Sequence, residues 1–329
     1  MRHKLKLWDV AQSQGVHMNF SSMEYFIALA EERSFTRAAR RLMVTQQTLS
    51  AHIASIEREL GVRLVNRKVP LTLTYAGQVL LGYARRIETD RRSMEQEFAD
   101  IAGDAQGLLG VGIASTRGRL LMPRAIAEFR RRKPGVRVLI DEAENEDLVE
   151  NLREGKLDMA VATFPSNMTG FDVRLLRTEQ IALLVSWSLL RTLYGEEARQ
   201  VAEEVVRRGS LAPLKGCPFL LLGRHDEPGD LSRQLLSAAG FDNDPAIVSS
   251  NSETLVELAM RDVGATFVPL DLAHAMVGEG EINDMCIMNL GPDARIDIHV
   301  AWRQSNHVWS VIEDFADLLV EQVRGDEVQ

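Results

Sequence analysis

Cysteine is scarce in this chain. Cys217 and Cys286 are the two that occur in 329 residues, too few for a disulfide scaffold and without the spacing of a metal knuckle. They read as small buried apolar side chains in a reducing compartment, with a thiol switch between them as the alternative. No apolar run approaches the ~18–20 residues that a membrane span requires, so no membrane partner is expected. The opening stretch, MRHKLKLWDVAQSQGVH, starts basic but breaks into Asp, Gln, Ser and Gly before an apolar core can form. A secretory leader is therefore not expected, and the chain reads as cytoplasmic. Histidines are scattered; His274, His299 and His307 have no ligand spacing, and no Gly-rich phosphate loop or nucleophile–base set converges. An enzymatic role, a cofactor and a metal are accordingly not expected.

What is present is a globular composition, 45% hydrophobic and 26% charged, in a chain long enough for a small domain followed by larger lobes. The net charge of −9 at first argues against nucleic acid, because DNA affinity comes largely from Lys and Arg meeting phosphates. Its distribution reverses that inference. Residues 18–77 hold eight basic against five acidic side chains, or +3, residues 1–17 add +2, and residues 78–329 carry −14. A cationic head on an acidic body confines DNA contact to the head.

In the head, Met23, Phe26, Ile27 and Ala30 form the apolar stripe of a first helix. Ser34 or Thr36 can cap a short second helix whose Ala38, Ala39 and Leu42 face inward, small residues where two backbones must approach. Thr45 suits the cap of a third helix with Leu49, Ile53, Ile56 and Leu60 on its buried face. Its opposite face presents Gln46, Gln47, Ser50 and His52. Amides and hydroxyls at a helix start suit the major groove, since Gln pairs with adenine through two bonds and Ser donates or accepts; the plainer reading is a solvated helix face. Gly61 ends the helix. Two short extended segments then turn at Lys68–Pro70, a hairpin wing with Arg67 and Lys68 at its tip, and Thr74 caps a fourth helix.

The stretch SFTRAARRLMVTQQTLSAHIASIERELGVRLVNR, followed by LTLTYAG, resembles the DNA-binding domain of LysR-type transcriptional regulators. Ser34, Phe35, Thr36, Ala38, Ala39, Leu42, Gln46, Ser50, Ile53, Glu57, Leu60, Gly61, Leu64, Arg67, Leu73, Thr74, Ala76 and Gly77 fill that family's pattern. The resemblance implies that Gln46, Gln47 and Ser50 approach bases and that Thr45, Arg67 and Lys68 approach the backbone; Thr36 and His52 complete the expected DNA-facing set. Three positions depart from the pattern: Gln47 stands for a common proline, Ala51 for a frequent basic residue and Val65 for the usual Phe.

From Tyr75 to about Ile101 no proline occurs, and Leu80, Ile87, Met94 and Ile101 recur every seven residues. Ala84 and Phe98 take the other seam position, which Arg91 interrupts. The spacing predicts a helix that pairs with its copy in a second subunit, the alternative being a long surface helix. Gly103 and Gly107 read as a hinge. In the body, LLGVGIAST, VRVLIDEA and LDMAVAT read as strands alternating with helices near 119–132 and 145–155. QIALLVS from about 180, PFLLL, AIVSS and ATFVP read as a second set, followed by CIMNL, RIDIHVAWR and a last helix near 308–323. Such alternation implies a mostly parallel sheet with ligands collecting outside the strand carboxyl ends.

The body resembles the LysR effector-binding domain through LxxGxxxS at 108–115, LMPRAIAEFRRRKPGV, LREGKLDMAVAT and RDVGATFVP. The fold class this implies is an α/β sensor of two lobes, like type II periplasmic binding proteins, behind an all-α winged helix-turn-helix. The expected organisation is an extension at 1–17, the head at 18–77, a linker helix and hinge at 78–107, lobe I at 108–178 plus 290–329, and lobe II at 179–289. By resemblance Ser115, Thr116 and Thr163 from lobe I, and Asn251, Ser252 and Pro269 from lobe II, line an effector cleft. Arg117 and Arg119 either counter an anionic effector or face water. The partners expected are double-stranded operator or promoter DNA, a small effector, a second copy in a homodimer or homotetramer, and RNA polymerase. A solute-binding receptor of the transport type would share the body but has no use for a basic head and needs an export signal.

Overall fold

The structure, a computed structural model, describes residues 18–68, 70–103, 106–164, 168–223, 227–241, 244–278, 280, 282–305 and 307–326. The extension expected at 1–17 lies outside them. The chain divides into two compact units between Phe98 and Ala99, each described by itself.

The first unit begins with α1 (Phe20–Glu32), α2 (Phe35–Arg41) and α3 (Gln46–Leu60). Asn19 caps α1, its side chain accepting from the Ser22 N–H, and of the two candidates for α2 it is Ser34 that accepts from the Arg37 N–H. Thr45 caps α3 through the Thr48 N–H, and Gly61 ends it in the left-handed region at φ 69°. Met23, Phe26, Leu29, Leu49, Ile53 and Ile56 are buried, and Ala38 and Ala39 fill the crossing where α2 packs on its neighbours. The short strands β1 (Val65–Asn66) and β2 (Thr72–Leu73) pair antiparallel as the wing, and α4 (Tyr75–Ile101) follows.

The second unit contains β3 (Gly107–Ile113), α5 (Ser115–Arg132), β4 (Val136–Glu142), α6 (Asn145–Arg153), β5 (Met159–Ala162) and β6 (Phe171–Ser186). Next come α7 (Trp187–Tyr194), α8 (Ala198–Arg208), β7 (Phe219–Leu222), α9 (Glu227–Ala238), β8 (Ile247–Ser249), α10 (Ser252–Met260), β9 (Ala265–Pro269) and α11 (Leu270–Met276). The chain closes with β10 (Met285–Asn289), β11 (Arg295–Arg303) and α12 (Ser310–Asp326). The strands run in the order β4-β3-β5-β11-β6-β9-β7-β8, with β10 also on β6.

The sheet is more mixed than the alternation of strands and helices implied. β3 is parallel to β4 and β5, and β7 to β8 and β9, but β6 and β11 run antiparallel to every strand they pair with. β6 also starts nine residues before the expected position near 180, because Phe171–Gln180 pair with Arg303–Arg295 of β11 before the remainder pairs with β9 and β10. One strand thus serves both halves of the sensor. α5 starts at Ser115 rather than near Arg119, directly at the end of β3. No helix among the described residues is long and apolar enough to cross a membrane.

Candidate nucleic-acid interface and effector cleft

The exposed face of α3 is assembled by short-range bonds. Gln46, Gln47 and Thr48 are exposed in its first turn, and Ser50 is half-buried. The Thr45 hydroxyl oxygen accepts from the Thr48 N–H at 3.1 Å and lies 2.8 Å from the Thr48 hydroxyl, so Thr45 is partly committed to the cap. Arg67 folds back from the wing, its guanidinium donating to the Ser50 Oγ at 3.5 Å, lying 3.7 Å from Glu57 and standing over the Phe35 ring at 5.4 Å. Ser50 and Arg67 are therefore brought together. Lys68 and Thr36 are exposed. His52 stands apart, half-buried with its ring edge-on to Tyr25 at 4.8 Å; that side of α3 packs on α1.

The wing is held by two residues of the sequence pattern. The Glu57 carboxylate accepts the N–H groups of Leu64 and Val65 at 2.8 and 3.4 Å. Thr74 donates its hydroxyl to the Arg63 carbonyl at 2.6 Å and accepts from the Gly77 N–H at 3.1 Å, capping α4 while tying it to the wing. Gly77 is required by close approach, since a Cβ there would sit 2.1 Å from the Leu64 carbonyl oxygen. Thr48 is an exposed neighbour that sequence reasoning missed, although its place in the first turn after Thr45 was visible. Arg37 and Arg41 are paired with Glu32 and Glu31, whereas Arg33, Arg40, Arg58, Arg63 and Lys68 form no ion pair among the described residues.

In the sensor, Ile113 of β3 lies opposite Val161 of parallel β5, so Ser115 and Thr163 emerge at the same sheet edge. Ser115 is exposed at the start of α5 and Thr116 half-buried; no side chain caps this end, and its first turn holds no acid. Thr163 is buried, its N–H donating to the Asn145 Oδ1 at 2.8 Å and its carbonyl accepting from the Asn145 amide at 3.1 Å. Asn145 was not foreseen. Asn251 spends its side chain on capping α10, accepting from the Thr254 N–H at 2.9 Å, and Ser252 follows half-buried. An ion pair of 3.0 Å between Arg119 and Glu253 joins the second turn of α5 to the first turn of α10.

Arg119 is thus paired, and Arg117 is buried against Glu179, Nε to Oε2 3.2 Å. The other Glu179 oxygen accepts from Arg177 at 2.8 Å, and Arg177 reaches Asp271 at 2.9 Å. Pro269, buried at the end of β9, lines a cavity of about 470 Å³ with Arg177, Glu179, Gln180, Asp271 and Leu120. The expected effector residues therefore fall in two places: Arg117 and Pro269 in or beside this charge network, and Ser115, Thr116, Asn251 and Ser252 at the helix starts with Thr163 at the end of β5.

Both cysteines are buried. Burial pushes the Cys217 thiol up to about 11, against a smaller pull from a backbone hydrogen bond, and the Cys286 thiol up to about 12. The thiolate is the reactive form. The folded protein is expected to leave both thiols unmodified by iodoacetamide at pH 8 and to expose both on denaturation; rapid native labelling, read by mass spectrometry, contradicts this.

A helix-turn-helix with a wing, followed by a two-lobed α/β sensor, defines a ligand-responsive DNA-binding protein. The family model "LysR substrate binding domain" matches residues 102–324, and "Bacterial regulatory helix-turn-helix protein, lysR family" matches residues 20–78. The chain belongs to the LysR family: it is a DNA-binding transcription regulator with an effector-binding domain, and not an enzyme. It is 28% identical over 310 residues to the "Hydrogen peroxide-inducible genes activator" of Pectobacterium carotovorum subsp. carotovorum, covering 94% of this chain and 98% of that one. Full-length OxyR from Pseudomonas aeruginosa superposes with a TM-score of 0.65 at 23% identity, covering 94% of this chain and 95% of that one. Full-length CbnR complexed with its target DNA superposes with a TM-score of 0.60 at 25% identity, covering 94% and 99%.

Proposed function

We propose that this regulator reads operator DNA with the first turns of α3, Gln46, Gln47 and Ser50 meeting base edges while Thr36, Thr45, Arg67 and Lys68 hold phosphates. The observation that carries this reading is the exposure of Gln46 and Gln47 beside a Ser50–Arg67 contact that joins helix and wing. His52 is left out, because its ring is engaged with Tyr25. In the family's frame α4 is the linker through which two copies associate, as a dimer or a pair of dimers, in the cytoplasm, with RNA polymerase as the eventual partner.

The effector is a small anion held at the start of α5 by Ser115, Thr116 and free backbone N–H groups, with Thr163, Asn251 and Ser252 around it; Arg117, Arg119 and Pro269 shape the site from behind. The uncapped, acid-free end of α5 supports an anion. Lobe I spans 108–178 plus 290–329 and lobe II 179–289, and ligand closing them changes subunit packing and so the placement of the recognition helices. Oxidation of a thiol is the less favoured input here, because peroxide attacks thiolates and both cysteines are buried with raised pKa.

Gel shift against salt tests the DNA reading. Log K should fall linearly with log salt, and Arg67→Ala with Lys68→Ala should flatten the slope by about 1 per cation in each head. A slope unmoved by both changes removes the wing from the phosphate contacts.

A further inference from the structure

The last turn of α4 is fastened to the start of α12 by one carboxylate. Asp100, its side chain 15% exposed, accepts the Ser310 N–H at 2.9 Å and the Ser310 hydroxyl at 2.7 Å, and its Oδ2 lies 2.9 Å from the His307 Nε2. An ionised carboxylate can only accept, so Nε2 carries the proton in this contact. Burial pushes the Asp100 carboxyl up, but the Ser310 amide and hydroxyl together with His307 outweigh it and leave the group below the usual carboxylate range. Ser310 is the first residue of α12, and Trp309, which occupies the capping position before it, has no side-chain acceptor. Asp100 supplies the missing cap from 210 residues away, where a negative charge also suits the helix dipole.

The hinge is held from its other side as well. A Cβ on Gly107 would lie 2.9 Å from the Trp309 indole, so the backbone that opens β3 rests on that ring. Asp100 and Gly107 thus each meet residues 307–310. From there α12 packs along α5 through the edge-to-face pair Phe129–Phe315, 5.0 Å between centroids, and the Lys133–Asp314 ion pair of 2.7 Å. α5 begins at Ser115.

We propose that Asp100 is a positioning residue of the regulator, the clasp through which a shift of α12 against α5 is handed to the end of α4. The direction of the relay rests on the reading of Ser115 as an effector residue; the clasp itself does not.

The test uses the full chain carrying Asp100→Asn, with Ser310→Ala as the gentler second variant. Amide exchange in residues 96–103 and 307–312 should accelerate about tenfold or more in either variant, while α10 keeps wild-type protection. The double variant should add little to the singles, since both remove one contact. At saturating occupancy of an operator fragment selected from genomic DNA, with unchanged affinity for it, promoter output should change by about fivefold or more. A residue with a merely structural role would lower the melting point without moving output at full occupancy. Unaltered exchange in both segments, or unaltered output, overturns the clasp. Ser115→Ala separates the two readings, since it should leave exchange at 307–312 of the unliganded protein alone.

Discussion

Glu179→Gln is expected to cost the sensor about 3–5 kcal/mol, the scale for breaking a buried ion pair from one side. The Glu179 side chain is 2% exposed, and its two oxygens divide between Arg117, 8% exposed, and Arg177, 13% exposed. Neutralising it leaves two guanidinium groups facing an amide that can accept from one side only. With ~2–4 °C lost per kcal/mol for a unit of this size, the melting point should drop by ~10 °C. Joint replacement, Arg117→Met with Glu179→Leu, should recover most of the loss, because apolar packing of similar volume often matches a buried pair. Calorimetry on the two variants decides it. A Glu179→Gln protein that melts with the wild type would show the pair to be solvated.

Gly77→Ala should do comparable damage to the head and spare the sensor. Alanine ordinarily stabilises a helix interior by about 1 kcal/mol over glycine. Here the methyl would fall 2.1 Å from the Leu64 carbonyl oxygen and 3.1 Å from its carbon, both backbone atoms that cannot step aside. α4 must then move off β1, breaking the Thr74 N–H to Leu64 carbonyl bond of 2.9 Å. A cost of about 3 kcal/mol or more follows, enough to loosen the wing that carries Arg67. Of the four tryptophans Trp187, Trp302 and Trp309 lie in the sensor and Trp8 in the stretch before the head, so in a Trp8→Phe background tryptophan fluorescence should melt as in the Gly77 protein while operator binding is lost. Retained operator binding would mean that the wing tolerates the displacement.

The head was the more legible half, for a physical reason. Its elements are fixed by near neighbours: the 3.6-residue stripes of α1 and α3, caps at Ser34 and Thr45, and a stop at Gly61 all act within one or two turns. What sequence could not supply were contacts that depend on side-chain direction, such as the turn of His52 toward Tyr25 or the Glu57 carboxylate reaching the Leu64 N–H seven residues on. In the sensor the strands and helices could be read, but the ion pairs formed over long range could not. Arg117 and Glu179 are 62 residues apart, and a strand starting near 180 leaves Arg177 and Glu179 ahead of it. Two residues apart, they in fact share one face of it. Asn251 illustrates a further limit, since an N-cap and a ligand contact draw on the same residue type at the same position.

The claim on which the rest depends is that the start of α3 reads bases. Equilibrium titration of an operator fragment with the wild type and the double variant Gln46→Ala, Ser50→Ala tests it most directly. With about 1–3 kcal/mol of discrimination in each base contact, operator affinity should fall about a hundredfold while affinity for random duplex DNA stays the same. Equal operator affinity in the two folded, oligomeric proteins would contradict the account.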